Sequence, residues 1–351
     1  MLINAARVVK GLLDYAPRKY GIYNTLKILD RAVRQTDFND IYRNSINFIQ
    51  HHNRVREHAK NKIWAPSAVS IELTHYCERR CADCYLPLEL RQDSSLLHEK
   101  EVTQLVEQVA NLGVKYIGLM GGETFSDQTH GVIEKVTEHF PAVTFYLHTN
   151  GDYIAQNGIG NLDKRHNIAY FVSTDGFQED VHDRLRGRGS FSNVVKTFDQ
   201  LNKRRKFTAA AITVRPENYE QVTSKEFLEF LVDMEVQIAH FMKLKSHNPD
   251  RNMDNTKYLI AMDMINSHLR SIPLFSVFGS LDKAHNFDAG FPYQEMYIQC
   301  DGMVRISKIG IDAPIGNWHT QSIQEIVSSL NNNPKILRRT SFGFKKALQP
   351  Q

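Results

Sequence analysis

Three of the chain's four cysteines lie within eight residues, in the run CERRCADC at 77 to 84, and the fourth, Cys300, is more than two hundred residues further on. Thiolates at C-x3-C-x2-C spacing on one short loop can each take one iron of a four-iron cluster, leaving the fourth iron open to a ligand that is not protein. Zinc is the other chemistry within reach, because His75, two residues before Cys77, would complete a Cys3His set. Structural zinc more often uses cysteine pairs spread over two loops, so a single loop points to a cluster held by Cys77, Cys81 and Cys84. Three cysteines this close together do not make a disulfide framework, which directs the reading to metal rather than to cross-links.

Other short runs are suited to a ligand beside such a cluster. Gly121 and Gly122 have no side chains and let a ligand approach closely, and the carboxylate of Glu123 accepts charge-assisted hydrogen bonds from an ammonium. The same run also reads as a turn before a helix capped by Ser126. His148-Thr149-Asn150-Gly151 and Ser173-Thr174-Asp175-Gly176 place short polar side chains where hydroxyls or a carboxylate would bind, although Asn and Asp before Gly are also good turn formers. Cys300 reads by default as a small buried residue of a strand. His148, His182 and His240 read as structural histidines.

The elements that must carry these residues alternate. From Pro66 onward, β-rich runs at 68–74, 116–120, 143–149, 168–174, 207–214 and 236–244 are separated by amphipathic segments near 99–112, 128–139, 190–204 and 223–234, with a shorter one at 152–163. Six β-then-α units in series predict an α/β fold, a partial (β/α)6 TIM-like barrel of parallel strands, with doubly wound packing as the neighbouring possibility. In either form chemistry collects at the carboxyl ends of the strands, which is where every run named above falls. Residues 1–65 predict an N-terminal helical extension, 66–250 the core barrel, and 251–351 a C-terminal cap containing a helix near 255–270, a strand pair around YIQCDGMVRIS and a last helix from Thr320 to Leu330.

In the core, the cysteine loop followed by Gly-Gly-Glu after the second strand resembles the radical S-adenosylmethionine (SAM) enzymes. The resemblance implies that Cys77, Cys81 and Cys84 hold a [4Fe-4S] cluster and that the Gly121-Gly122-Glu123 run holds the amino group of SAM. It further implies that the reduced cluster cleaves SAM to a 5′-deoxyadenosyl radical, which abstracts hydrogen from substrate. Two positions depart from the family: Asp83 stands where an aromatic residue commonly packs near the adenine, and Glu78 where Asn is frequent, so Tyr85 is the expected replacement ring. HDRLRGRGSF at 182–191 resembles a segment of members with the C-terminal extension called SPASM, which makes Arg186 a candidate for holding a carboxylate; Ser190 also suits a helix N-cap. The tail resembles the start of that extension, but Ser307 stands at the aligned cysteine position and no cysteine follows, so no auxiliary cluster is expected. The resemblance makes Cys300 a candidate thiol to give hydrogen to a substrate radical, whereas binding the fourth iron would block SAM.

What composition adds is mostly exclusion. With 351 residues, 42% apolar and 23% charged, the chain has the composition of a soluble globular protein, and no run approaches the apolar length of a membrane span. The N-terminus lacks the features of a secretory signal, so a cytoplasmic chain is expected, peripheral to the inner face of the membrane if the amphipathic start (Arg7, Lys10, Arg18, Lys19) lies on lipid. A net charge of +4 calls for no nucleic-acid partner, and the basic run KRRK at 203–206 reads as a solvated helix end. The expected function is hydrogen abstraction from a peptide or small natural product, with electrons from a flavodoxin or ferredoxin. Two alternatives stand beside it, a radical SAM enzyme acting on lipid at the membrane surface and a zinc-stabilised binding module without catalysis.

Overall fold

The computed structural model describes residues 19–61, 63–66, 68–92, 95–246, 248–279, 295–306 and 314–332. Two helices open it, α1 (Ile22–Gln35) and α2 (Phe38–Lys60). The core then runs β1 (Ala68–Thr74), α3 (Glu99–Asn111), β2 (Tyr116–Gly121), α4 (His130–His139), β3 (Thr144–Thr149), α5 (Asp152–Asn157) and β4 (Ile168–Ser173). It continues through α6 (Glu179–Arg186), α7 (Ser190–Lys203), β5 (Thr208–Val214), α8 (Tyr219–Val222), α9 (Lys225–Asp233) and β6 (Ile238–Lys243). After it come α10 (Asn255–His268), β7 (Phe275–Phe278), β8 (Glu295–Ile298), β9 (Met303–Arg305), β10 (Gly316–Asn317) and α11 (Ile323–Asn331).

The ten strands among the described residues join one sheet in the order β10-β9-β8-β1-β2-β3-β4-β5-β6-β7. Strands β1 to β6 pair in parallel with their sequence neighbours, as six β-then-α units require. Two parallel strands outside the six-unit reading extend it, β7 beside β6 and β8 beside β1. On one face Val69, Ile71, Leu73, Ile117, Leu119, Phe145 and Leu147 pack against the helices; the other face looks into the lumen. There Tyr146, His148, Phe171 and His240 form a run of ring contacts with centroids 5.2–6.0 Å apart.

Helix α2 closes the amino-terminal ends of the strands. Asn47 Nδ2 donates to Thr144 Oγ1 at 2.9 Å, and Arg54 donates to Leu112 O and Pro66 O. The KRRK run is solvated at Lys203, Arg204 and Arg205, as expected of a helix end, but not at Lys206. Arg205, in the left-handed region at φ 52°, donates to Val33 O and Thr36 O at the end of α1, and Lys206 is buried with its ammonium on Asp163 O and Arg165 O. The carbonyls left over at a helix terminus need donors, and this run supplies them.

Candidate cluster and cofactor site

The cysteine loop leaves β1 at its carboxyl end and is pinned from every side. Arg79 makes a two-pronged ion pair with Asp152 of α5 and also donates to Gly187 O. Ala82 N donates to Leu185 O of α6, and Arg215 Nη1 donates back to Ala82 O at 2.9 Å. Arg91 is buried inside the loop, with Nε on Leu86 O and its own carbonyl accepting from Cys77 N. Asp83 has φ 55°, a conformation that Asp tolerates better than an aromatic residue would, and its carboxylate meets Ser246 Oγ at 3.1 Å and Arg251 at 2.9 Å. This explains the departure noted in the sequence, since the position anchors the loop to the segment after β6.

Among the described residues, the groups whose ligand atoms all lie within 4.8 Å of one another are Glu72/His75/Cys300 and Asp37/Asp40/His166, and the three loop cysteines are not such a group. Thiolates on one zinc sit about 3.8 Å apart, given Zn–S bonds of about 2.3 Å. At least one pair of the loop sulfurs is therefore set wider than two ligands of one zinc, a spacing that suits a cluster, and His75 turns to Glu72, with Nε2 3.2 Å from Glu72 Oε2. Burial pushes the Cys77 thiol up to about 12, with the Glu123 carboxylate adding to the rise, and burial also raises Cys81 against the opposing charge of Arg186. Such thiols lose their protons readily only to a bound cation, so the donor set fits an iron cluster.

The Gly-Gly pair also meets a need that the sequence does not show. A Cβ on Gly121 would lie 2.3 Å from Thr74 O, and one on Gly122 2.1 Å from Tyr76 O. What comes close is the backbone of the cysteine loop itself, with Gly122 N on Thr74 O and Glu123 N on Tyr76 O. Glu123 is then aimed by three donors: Thr149 Oγ1 at 2.6 Å, Phe125 N and Asn150 N, both at 2.8 Å. A carboxylate has about four acceptor positions, so room for one further donor remains. Burial pushes Glu123 up to about 7. The helix beyond it starts at His130 with Thr129, not Ser126, in the N-cap position and no side-chain cap bond.

Arg186 ends α6 beside the loop, its carbonyl 3.8 Å from Cys81 Sγ and its Nε 2.8 Å from Asp175 Oδ2. Asp175 is fully buried and also meets Arg215 Nη2 at 3.2 Å and Thr213 N at 2.8 Å. Burial alone would raise its pKa, but Arg186 and Arg215 outweigh that and hold it below the usual carboxylate range. Asn150 and Ser173 stand at the ends of β3 and β4, with Asn150 Oδ1 accepting from Asp152 N and Ser173 O facing His182 Nε2. Tyr85 directs its hydroxyl at Gly121 O, 2.8 Å, and Glu72 Oε1, 3.1 Å, so it braces the two strand ends. Ser190 follows the N-cap Gly189 and bonds Asp183 and His182. Cys300 is buried against His75 and Glu72, and Ser307 lies outside the described residues.

Sequence reasoning missed Asp175 as a brace, Arg215, Asp152 and the role of Glu72. Arg215 follows directly on the end of β5, and that placement was the available signal.

Residues 71–228 match the Radical SAM superfamily. The mycofactocin maturase MftC of Mycolicibacterium smegmatis is 28% identical over 162 residues, covering 46% of this chain and 40% of the relative. The antilisterial bacteriocin subtilosin biosynthesis protein AlbA of Bacillus subtilis is 27% identical over 196 residues, covering 52% and 43%. The chain thus spans about two fifths of the length of these relatives. The fold matches Streptococcus suis SuiB bound to S-adenosylmethionine with a TM-score of 0.64 at 17% identity, over 83% of this chain and 72% of that one. SuiB bound to its precursor peptide SuiA matches with a TM-score of 0.63 at 15% identity, over 82% and 69%.

Proposed function

Because residues 71–228 match the Radical SAM superfamily, we propose that this chain is a radical SAM enzyme acting on a peptide or a small natural product, with a [4Fe-4S] cluster on Cys77, Cys81 and Cys84 and SAM at the open iron. The observation that carries this reading is the trio of buried or half-buried thiols on one pinned loop, at least one pair set wider than two ligands of one zinc, beside Glu123. When bound, cluster and SAM supply the 5′-deoxyadenosyl radical that removes hydrogen from substrate.

The chain's own residues bind and shield. Glu123 takes the ammonium of SAM at its remaining acceptor position. Arg186, with Nε held by Asp175, offers its two Nη groups to the carboxylate. Asn150 and Ser173 serve the ribose hydroxyls from the ends of β3 and β4, and Tyr85 keeps the Gly121 strand end in place. The ring-lined lumen around Tyr146, Phe171 and His240 keeps water from the reacting carbon. A flavodoxin or ferredoxin supplies the electron.

Support for a peptide comes from the similarity to a bacteriocin biosynthesis protein, AlbA, and to SuiB, solved with a precursor peptide. The site favours neither alternative, a lipid substrate or a zinc-held binding module. Anaerobic incubation with SAM, reductant and peptides encoded by neighbouring genes is expected to give 5′-deoxyadenosine and a mass change in one peptide. SAM cleavage with no change in any peptide would count against this substrate class.

Near neutrality Glu123 is divided between the acid and the carboxylate, and an ammonium binds only the carboxylate. Its pKa in the free protein is raised, so SAM affinity is present above about 7 and lost as pH falls through that value, by about tenfold per pH unit once the acid form dominates. Calorimetric titration from about pH 6 to 8 reads this, and Glu123→Gln should flatten the profile. A wild-type affinity independent of pH would contradict the assignment.

A second reading concerns location. Helix α1 turns polar residues inward, Asn24 Nδ2 donating to Leu269 O and Ile272 O, and leaves Ile22, Tyr23, Leu26 and Val33 exposed, followed by Phe38. Residues 1–36 hold seven Lys or Arg against two Asp, a net +5 that exceeds the +4 of the whole chain. An apolar face in a basic segment fits an anionic lipid surface; no helix among the described residues is long and apolar enough to cross a membrane. Cosedimentation with phosphatidylglycerol vesicles at low salt is expected, and to be lost in Ile22→Glu/Leu26→Glu. No binding by the wild-type chain would remove this reading.

A further inference from the structure

We propose that Glu72, His75 and Cys300 form a second metal site, holding one zinc ion between β1 and the turn after β8. Strand β8 runs parallel to β1 with Ile298 opposite Ile71, so the turn carrying Cys300 comes to lie beside Glu72 and His75. One ligand atom from each residue lies within 4.8 Å of the others, and all three residues are buried, at 4%, 2% and 8% exposure. The 3.2 Å between His75 Nε2 and Glu72 Oε2 is a hydrogen-bond distance in the free protein and equally the spacing of two ligands on one small ion.

Thiolate, imidazole and carboxylate together are a zinc ligand set, and three protein ligands leave a fourth position for water. Charge points the same way. Two anionic ligands would balance a divalent ion, which would take the place of the proton that burial keeps on Cys300 and of the one that Cys300 and Glu72 hold on His75. The surroundings hold the carboxylate in place: Tyr85 Oη donates to Glu72 Oε1, and Gln299 Nε2 lies 3.4 Å from Glu72 Oε2. Gln299 is fixed in turn by Arg305 Nε at 2.8 Å and by Trp318 Nε1 on its carbonyl at 2.9 Å. The other compact group, Asp37/Asp40/His166, has no sulfur ligand and a lysine ammonium beside it, with Lys206 Nζ 3.9 Å from Asp40. A zinc ion here would clip the C-terminal strands to the core beside the cysteine loop. It would also leave Cys300 no hydrogen to donate, which replaces the hydrogen-donor reading of that thiol.

The full chain with Cys77, Cys81 and Cys84 all replaced by alanine cannot build the cluster and so isolates this site. It is expected to purify with about one zinc per chain and, after chelation, to bind cobalt(II) with a thiolate-to-cobalt charge-transfer band that saturates near one equivalent. Adding Cys300→Ser should remove the band and lower bound zinc at least about tenfold, and Glu72→Gln should weaken both. If the triple variant does not fold, zinc and iron counted on the wild type and on Cys300→Ser alone serve instead, with zinc lost and iron unchanged. Absence of zinc and of the band, or zinc indifferent to Cys300→Ser, overturns the proposal. Either result leaves the cluster on the loop cysteines untouched, because that is read by iron.

Discussion

Replacing Cys81 by alanine is expected to leave a protein that folds but assembles no stable cluster and cleaves SAM more than about a hundredfold more slowly, a loss beyond that caused by outer partners of a metal site. Three thiols for four irons leave no ligand to spare, and the fourth cysteine is engaged elsewhere, against Glu72 and His75. The loop does not depend on the cluster for its course: Arg79–Asp152, Ala82–Leu185, Arg215–Ala82 and Asp83–Arg251 hold it by contacts that Cys81→Ala leaves in place. Loss of iron with the far-ultraviolet circular dichroism unchanged is therefore the expected signature. Cys300→Ala is the matching control and should keep both iron and SAM cleavage. Equal loss in the two variants would mean that the tail, and not the loop alone, builds the cluster.

Asp175→Ala is expected to be the most destabilising single change near the site, at about 3–5 kcal/mol. The carboxylate is fully buried and faces two guanidinium groups, Arg186 and Arg215, which its removal leaves without their counter-charge. A surface pair gives the contrast: Asp30→Ala, at the exposed Asp30–Arg34 pair, should cost at most about 1 kcal/mol. Because the pKa of Asp175 is held low in the folded chain, its contribution is present above about 4 and is lost as pH falls further, so acid should destabilise the wild type more than the variant. Urea unfolding at two pH values measures both effects. The same variant should bind SAM more weakly, since Arg186 loses the contact that aims it.

The β-then-α alternation was legible because each buried strand is a short apolar run between amphipathic helices, and six such runs appear within a residue or two of β1 to β6. Strand β7 was not, since FSVF is four residues long and takes its pairing from a distant neighbour, and of β8, legible as one of a strand pair with β9, the parallel pairing to β1 was not. The cysteine trio could be read because its chemistry is local. Asp175 could not: next to Gly176 it looks like a turn former, and only the fold brings Arg186 and Arg215 to it. The glycines after β2 illustrate a subtler limit, as their lack of side chains was legible but the group that needs the space, the backbone of Thr74–Tyr76, is set by strand register.

Electron paramagnetic resonance of anaerobically reconstituted, reduced protein, recorded with and without SAM, tests the central claim most directly. A ligand at an open iron must perturb the electrons of the cluster, so the account predicts a [4Fe-4S] signal that changes shape when SAM is added and that is absent from the Cys81→Ala protein. A reconstituted chain with no such signal, or with one that SAM leaves unaltered, would contradict it.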